Sequence, residues 1–123
     1  MTAAISTEAV EFLQQLRCPP WILIAITPDG HITTVTARSA TDADAFISAH
    51  VSKSNVYYSV NPTKTAMNKK PAKIDVAAVE YLHGDLDPLD NEKSEDAKVR
   101  YLNQLNGTFE PKPSVIVDSG NGI

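Results

Sequence analysis

Apolar residues recur at helical spacing between Thr7 and Arg17, where Ala9, Phe12, Leu13 and Leu16 share one face and predict an amphipathic first helix. Pro19 and Pro20 end it. Trp21 to Thr27 is a continuous apolar run of strand length, and Pro28-Asp29-Gly30 has the chemistry of a turn. It leads into Ile32 to Ala37, rich in Thr and Val, so the pair predicts a β-hairpin. Thr41 with Asp44 three residues on has the spacing of a capping box. The helix it would start, about Thr41 to Ser52, carries a stripe of Ala43, Phe46, Ile47, His50 and Val51. Asn55 to Val60 is aromatic and β-branched, which suits a strand, and Asn61-Pro62 stops it.

The second half of the chain is patterned differently. Pro62 to Lys73 has no apolar periodicity and reads as a loop, mobile unless a ligand orders it. Val76 to Asp87 predicts the next strand and Pro88 to Glu92 a turn. Ser94 to Gln104 is mostly good helix formers, with Ala97, Tyr101 and Leu105 on one face, and Asn106-Gly107 closes that helix. Pro111-Lys112-Pro113 leads into a short apolar strand, Ser114 to Val117. The order α-β-β-α-β-β-α-β predicts a mixed β-sheet flanked by helices, in the α/β (α+β) class.

Composition narrows this picture. A chain of 123 residues, 42% apolar and 21% charged, fits one soluble domain with one core. No apolar run approaches the roughly 20 residues that span a bilayer, and Met1-Thr2-Ala3-Ala4-Ile5 lacks the start of a signal peptide. The expected compartment is therefore the cytoplasm, with no membrane partner. A single cysteine, Cys18, forms no internal disulfide, and with three scattered histidines it does not suggest a zinc site. The formal charge of −4 argues against binding nucleic acid with the whole surface, but it leaves room for a local basic site. Between Pro62 and Lys73 every charge is positive (Lys64, Lys69, Lys70, Lys73), while acids concentrate from Asp85 to Asp96. A phosphate-binding edge beside a metal-binding edge would be segregated in this way, and so would a solvated lysine loop.

The candidate chemistry lies where Val79-Glu80-Tyr81-Leu82-His83-Gly84-Asp85-Leu86-Asp87-Pro88 closes an apolar run with two carboxylates. On a strand, Asp85 and Asp87 project to one face and Leu86 to the other. Hard divalent cations such as Mg²⁺ take one or two carboxylates together with substrate phosphates, so the pair is a candidate metal clamp. A second element, Ser119-Gly120-Asn121-Gly122, has glycines that let backbone N–H groups approach phosphates. Lys69 and Lys70 are candidate phosphate contacts as point charges. His83 would lie on the aspartate face and reads better as a structural histidine than as a ligand. Tyr57 and Tyr58 fit either base stacking or, as strand aromatics more often do, the core.

Taken together, these residues resemble a known family. Asn-Val-Tyr-Tyr-Ser-Val-Asn-Pro, a lysine-rich loop, a segment ending Gly-Asp-Leu-Asp, a helix and Pro-Ser-Val-Ile-Val-Asp-Ser-Gly-Asn-Gly-Ile look like the catalytic core of the archaeo-eukaryotic primase superfamily. The primase-polymerase domains of phages and plasmids are the nearest likeness, over roughly residues 53 to 123. The resemblance implies that Asp85 and Asp87 are catalytic and bind Mg²⁺ or Mn²⁺, and that Ser119 to Gly122 contact a nucleoside triphosphate. It also implies a single-stranded DNA template and nucleotidyl transfer, in which a 3′-hydroxyl attacks an α-phosphate and metals stabilise the attacking and leaving oxygens.

The family's Ser-Gly-x-Gly-x-His motif is matched through its first five positions, Ser119 to Ile123; its histidine and its later third acidic residue are not in the sequence. The expectation is thus the N-terminal part of a truncated domain for DNA replication by a mobile element. Such a chain would bind the metal weakly without polymerising, and apolar surface left by truncation would be able to pair two copies as a homodimer. Two other readings compete. One is a non-catalytic nucleotide or single-strand-binding module of the same fold. The other is a sugar-nucleotide transferase, which calls for a βαβ start that the N-terminal hairpin does not provide.

Overall fold

The computed structural model describes residues 2–108 and 110–118, with side chains described from Glu8 onward. Among these residues it is a mixed structure with three α-helices and one three-stranded antiparallel sheet, an α+β arrangement. The chain divides into two compact units, residues 1–82 and 83–123.

In the first unit, helix α1 (Thr2–Leu16) leads into strand β1 (Trp21–Ile26), which turns back into β2 (Ile32–Ala37). The turn is closed by the Thr27 and His31 backbones at 3.0 Å, and Gly30 takes a φ of 90°, a region that L side chains rarely enter. Asp29 accepts from the Thr27 hydroxyl and the His31 amide, and these bonds, the Thr27 one first, hold its carboxyl below the usual range. Helix α2 (Ala40–His50) follows, then β3 (Asn55–Tyr58). The sheet order is β2-β1-β3, both outer strands running antiparallel to β1.

Helix α2 starts earlier than the Thr41–Asp44 pattern predicts. Its cap is Ser39, whose hydroxyl accepts from the Asp42 amide at 3.2 Å, while the Asp42 carboxylate accepts from the Arg38 amide at 3.1 Å. The stripe expected on this helix does face the core at Ala43, Phe46 and Ile47, all buried.

Register divides the sheet into two faces. Trp21, Leu23, Ala25, Ala37, Val56 and Tyr58 face α1 and α2, packing with Val10, Leu13, Phe46 and Ile47. Tyr58 meets the Phe12 ring edge-on at 5.2 Å, and burial pushes its phenol pKa up. The opposite face carries Ile22, Ile24 and Ile26, and there the cover is the Met67 side chain. The lysine loop is therefore not free in the way its composition predicts. The Thr36 hydroxyl donates to the Met67 carbonyl at 2.9 Å and accepts from the Met67 amide at 2.7 Å, fastening the loop across the sheet. A single 3-10 turn, Lys73–Asp75, ends it, with the Asp75 carboxylate accepting from the Ala72 amide.

The strand predicted over Val76–Asp87 does not form. Pairing there stops at one isolated bridge, Thr63 with Val76, and beyond it the backbone groups a ladder would use bond to a side chain instead. In the second unit the only regular element among the described residues is α3 (Ser94–Asn106), close to its predicted span. Ala97 is buried on it and Tyr101 and Leu105 are half-buried, as their spacing predicts. Gly107 caps it, its amide donating to the Gln104 carbonyl at a place where a Cβ would lie 2.9 Å from the Asn103 carbonyl oxygen. Ser114–Val117 is exposed and unpaired rather than a strand. A strand is stable only beside a neighbour, and beyond the Thr63–Val76 bridge neither segment has one among the described residues. No helix among the described residues is long and apolar enough to cross a membrane.

Candidate functional site

Asp85 and Asp87 lie in an irregular segment of the second unit. Both are exposed and Leu86 between them is half-buried, so the alternation that a strand would give is retained without the ladder. His83 is exposed as well, which does not match a buried structural histidine. The stretch after the aspartates is tied to α3. Tyr101 donates its hydroxyl to the Asp87 carbonyl at 2.8 Å. The Glu92 carboxylate accepts from the Leu89 amide at 2.9 Å and receives the Arg100 guanidinium in two contacts, 2.7 and 3.0 Å. Arg100 in turn stacks over the Tyr101 ring at 4.3 Å. These contacts, first the Arg100 hydrogen bonds and then the Leu89 amide, hold the Glu92 carboxyl down at about 2, and Glu92 raises the Arg100 pKa.

Two carboxylates suit a Mg²⁺ or Mn²⁺ ion that keeps waters and substrate oxygens as its other ligands. Among the described residues no three His, Cys, Asp or Glu side chains gather to complete a cage. Ser119, Gly120, Asn121 and Gly122, the candidate nucleotide contacts, lie outside the described residues.

The first unit holds a different cluster, around residues the sequence reading passed over. Asn61 accepts from the amides of Glu80 and Tyr81 at 2.9 and 2.8 Å, and donates to the Tyr81 carbonyl at 3.1 Å. One carboxamide thus replaces the missing ladder. Arg17, at the end of α1, donates to Glu80 at 2.8 Å and to the carbonyls of Ser59 and Val60. Tyr81 donates its hydroxyl to the Leu16 carbonyl at 2.6 Å. A cavity of about 260 Å³ opens beside this cluster, lined by Arg17, Cys18, Pro20, Ile22, Pro62 and Glu80. The only sequence signal for the clamp is that an Asn before Pro62 must bond somewhere once the strand has stopped.

Lys64, Lys69, Lys70 and Lys73 are all exposed on the stapled loop, and among the described residues they form no ion pair. The two tyrosines separate: Tyr58 is in the core, while Tyr57 is 47% exposed on the other face of the sheet. No protein-family profile, curated protein or solved structure matches this chain.

Two outcomes test this geometry. Asn61→Ala removes both acceptor and donor from partly buried backbone groups and should cost about 2 kcal/mol in urea unfolding; Asn61→Asp, which keeps the acceptor, should cost less. In a carboxyl NMR titration Glu92 should have its midpoint near 2, and Arg100→Gln should move it up toward 4.5, its ordinary value. Because the folded value lies below the unfolded one, the stabilisation from this pair is complete above about 4.5 and is lost as pH falls through about 2.

Proposed function

We propose that the chain belongs to a metal-dependent DNA primase-polymerase domain, a nucleotidyltransferase of mobile-element replication. The observation that carries the reading is the pair of exposed aspartates, Asp85 and Asp87, flanking a half-buried Leu86 in a Gly-Asp-Leu-Asp sequence that resembles the Asp-x-Asp motif of that family. In this reading Asp85 and Asp87 supply carboxylate oxygens to Mg²⁺ or Mn²⁺. The bound ion would neutralise phosphate charge as a nucleoside triphosphate reacts.

Ser119, Gly120, Asn121 and Gly122 orient the triphosphate through hydroxyl and backbone N–H groups. Tyr101 holds the Asp87 carbonyl and Glu92 the Leu89 amide, which fixes the turn that follows the aspartates. The transfer itself also needs the family's histidine and third acidic residue, neither of which the 123 residues supply.

A Mn²⁺ titration in the presence of a nucleoside triphosphate tests the site. The unaltered chain should bind saturably. Asp85→Ala and Asp87→Ala should each weaken binding by about tenfold or more, since even outer-shell partners of a metal ligand carry that much. Superimposable curves for all three proteins would remove the metal reading.

A further inference from the structure

In an antiparallel ladder, alternate residues of a strand turn their N–H and C=O groups toward the neighbouring strand and the others turn them away. The Ser59 amide donates to the Ile22 carbonyl at 3.0 Å, and β3 pairs Tyr57 with Ile24 and Asn55 with Ile26. Tyr57 and Asn55 therefore aim their backbone groups at β1. Those of Val56 and Tyr58 point outward, and among the described residues nothing bonds to them.

Natural sheets guard such an edge with a charged side chain, a proline or a bulge. β3, Asn-Val-Tyr-Tyr, has none of these, and its pairing with β1 is unbroken. On β2, the other outer strand, the Met67 loop is clasped to Thr36. Tyr57 stands inside the open edge, on the sheet face that carries Ile22 and Ile24, and keeps 47% of its surface in solvent.

This edge is complementary to itself. A second β3 laid antiparallel, with Tyr57 opposite Tyr57, sets each Val56 opposite Tyr58 of the other copy. Both residues face outward, so each such pair exchanges both of its N–H···O bonds. The tyrosines meet as a non-hydrogen-bonded pair with Cα atoms about 4.5 Å apart, the spacing at which cross-strand side chains lie closest. Lys53, the charged residue nearest to β3, falls opposite position 61, an asparagine, so no like charges meet.

We infer that two copies of this chain associate through β3, edge to edge about a twofold axis, with their Tyr57 rings packed on each other and their sheets joined into one. The same patch serves both copies, so the contact closes on itself as a dimer. It involves no residue of the proposed metal site, and either reading can fail without the other. A contact of one short strand is small beside the roughly 1,200–2,000 Å² of a standard interface, so the dimer forms at high protein concentration and dissociates on dilution.

Sedimentation equilibrium over a dilution series, from millimolar to micromolar protein, tests it. The unaltered chain should pass from dimer to monomer. Tyr57 belongs to neither core cluster, so substitutions there spare the fold. Tyr57→Lys and Tyr57→Glu should each weaken association by about tenfold or more, because residue 57 meets its own copy and like charges repel. An equimolar mixture of the two variants should associate again, and Tyr57→Phe should retain the dimer. A monomer throughout the series would overturn the inference, as would a mixture no more associated than either variant alone. Association that Tyr57→Lys leaves intact and Ile116→Lys abolishes would also overturn it, placing the contact on the exposed Val115, Ile116 and Val117.

Discussion

β1 is apolar on both sides, and the first unit is organised around hiding it. From Trp21 to Ala25 five successive residues are buried, which a strand achieves only when each face of its sheet is covered. Two helices with apolar stripes cover one face in the usual way. On the other face the cover, among the described residues of the first unit, is a single methionine from a polar loop. Burying Ile22 and Ile24 there is worth about 1.5–3 kcal/mol for each side chain, set against the entropy of ordering the loop. The two hydrogen bonds between Thr36 and the Met67 backbone help to offset that cost.

This constraint has a functional side. Met67 over Ile22 and Ile24, bonded through its backbone to Thr36, holds its own stretch of the loop against the sheet, while Tyr57 and Ile32 on the same face keep nearly half of their surface in solvent. The carboxylate segment follows a different logic. It lies in the second unit, held by Tyr101 and by the Glu92–Arg100 pair, and its two aspartates remain in solvent.

Much of the first unit is legible from pattern. The hairpin is marked by Pro28-Asp29-Gly30 between apolar runs, and α2 by Ala43, Phe46 and Ile47, because local periodicity and burial agree there. Val76–Asp87 misleads because composition reports that residues tolerate a strand, while the strand itself needs a partner. Asn61 takes the backbone groups of Glu80 and Tyr81, and nothing in a local window announces a bond across about 20 residues. Met67 is hidden for the same reason: one apolar residue among lysines has no period to reveal it. The helix cap at Ser39 was within reach, since Ser39 and Asp42 have the same spacing as Thr41 and Asp44. The aspartates of the candidate site are marked by their spacing and by a family likeness, whereas only the sheet register separates the exposed Tyr57 from the core-facing Tyr58.

The account depends most on the loop being fastened to the sheet by Thr36 and Met67, and amide hydrogen exchange reads that bond residue by residue. The Met67 amide should exchange far more slowly than the amides of Lys69 and Lys70, and Thr36→Val should abolish the difference while the β1 amides stay protected. Exchange of the Met67 amide at the rate of an open peptide in the unaltered protein would contradict the account.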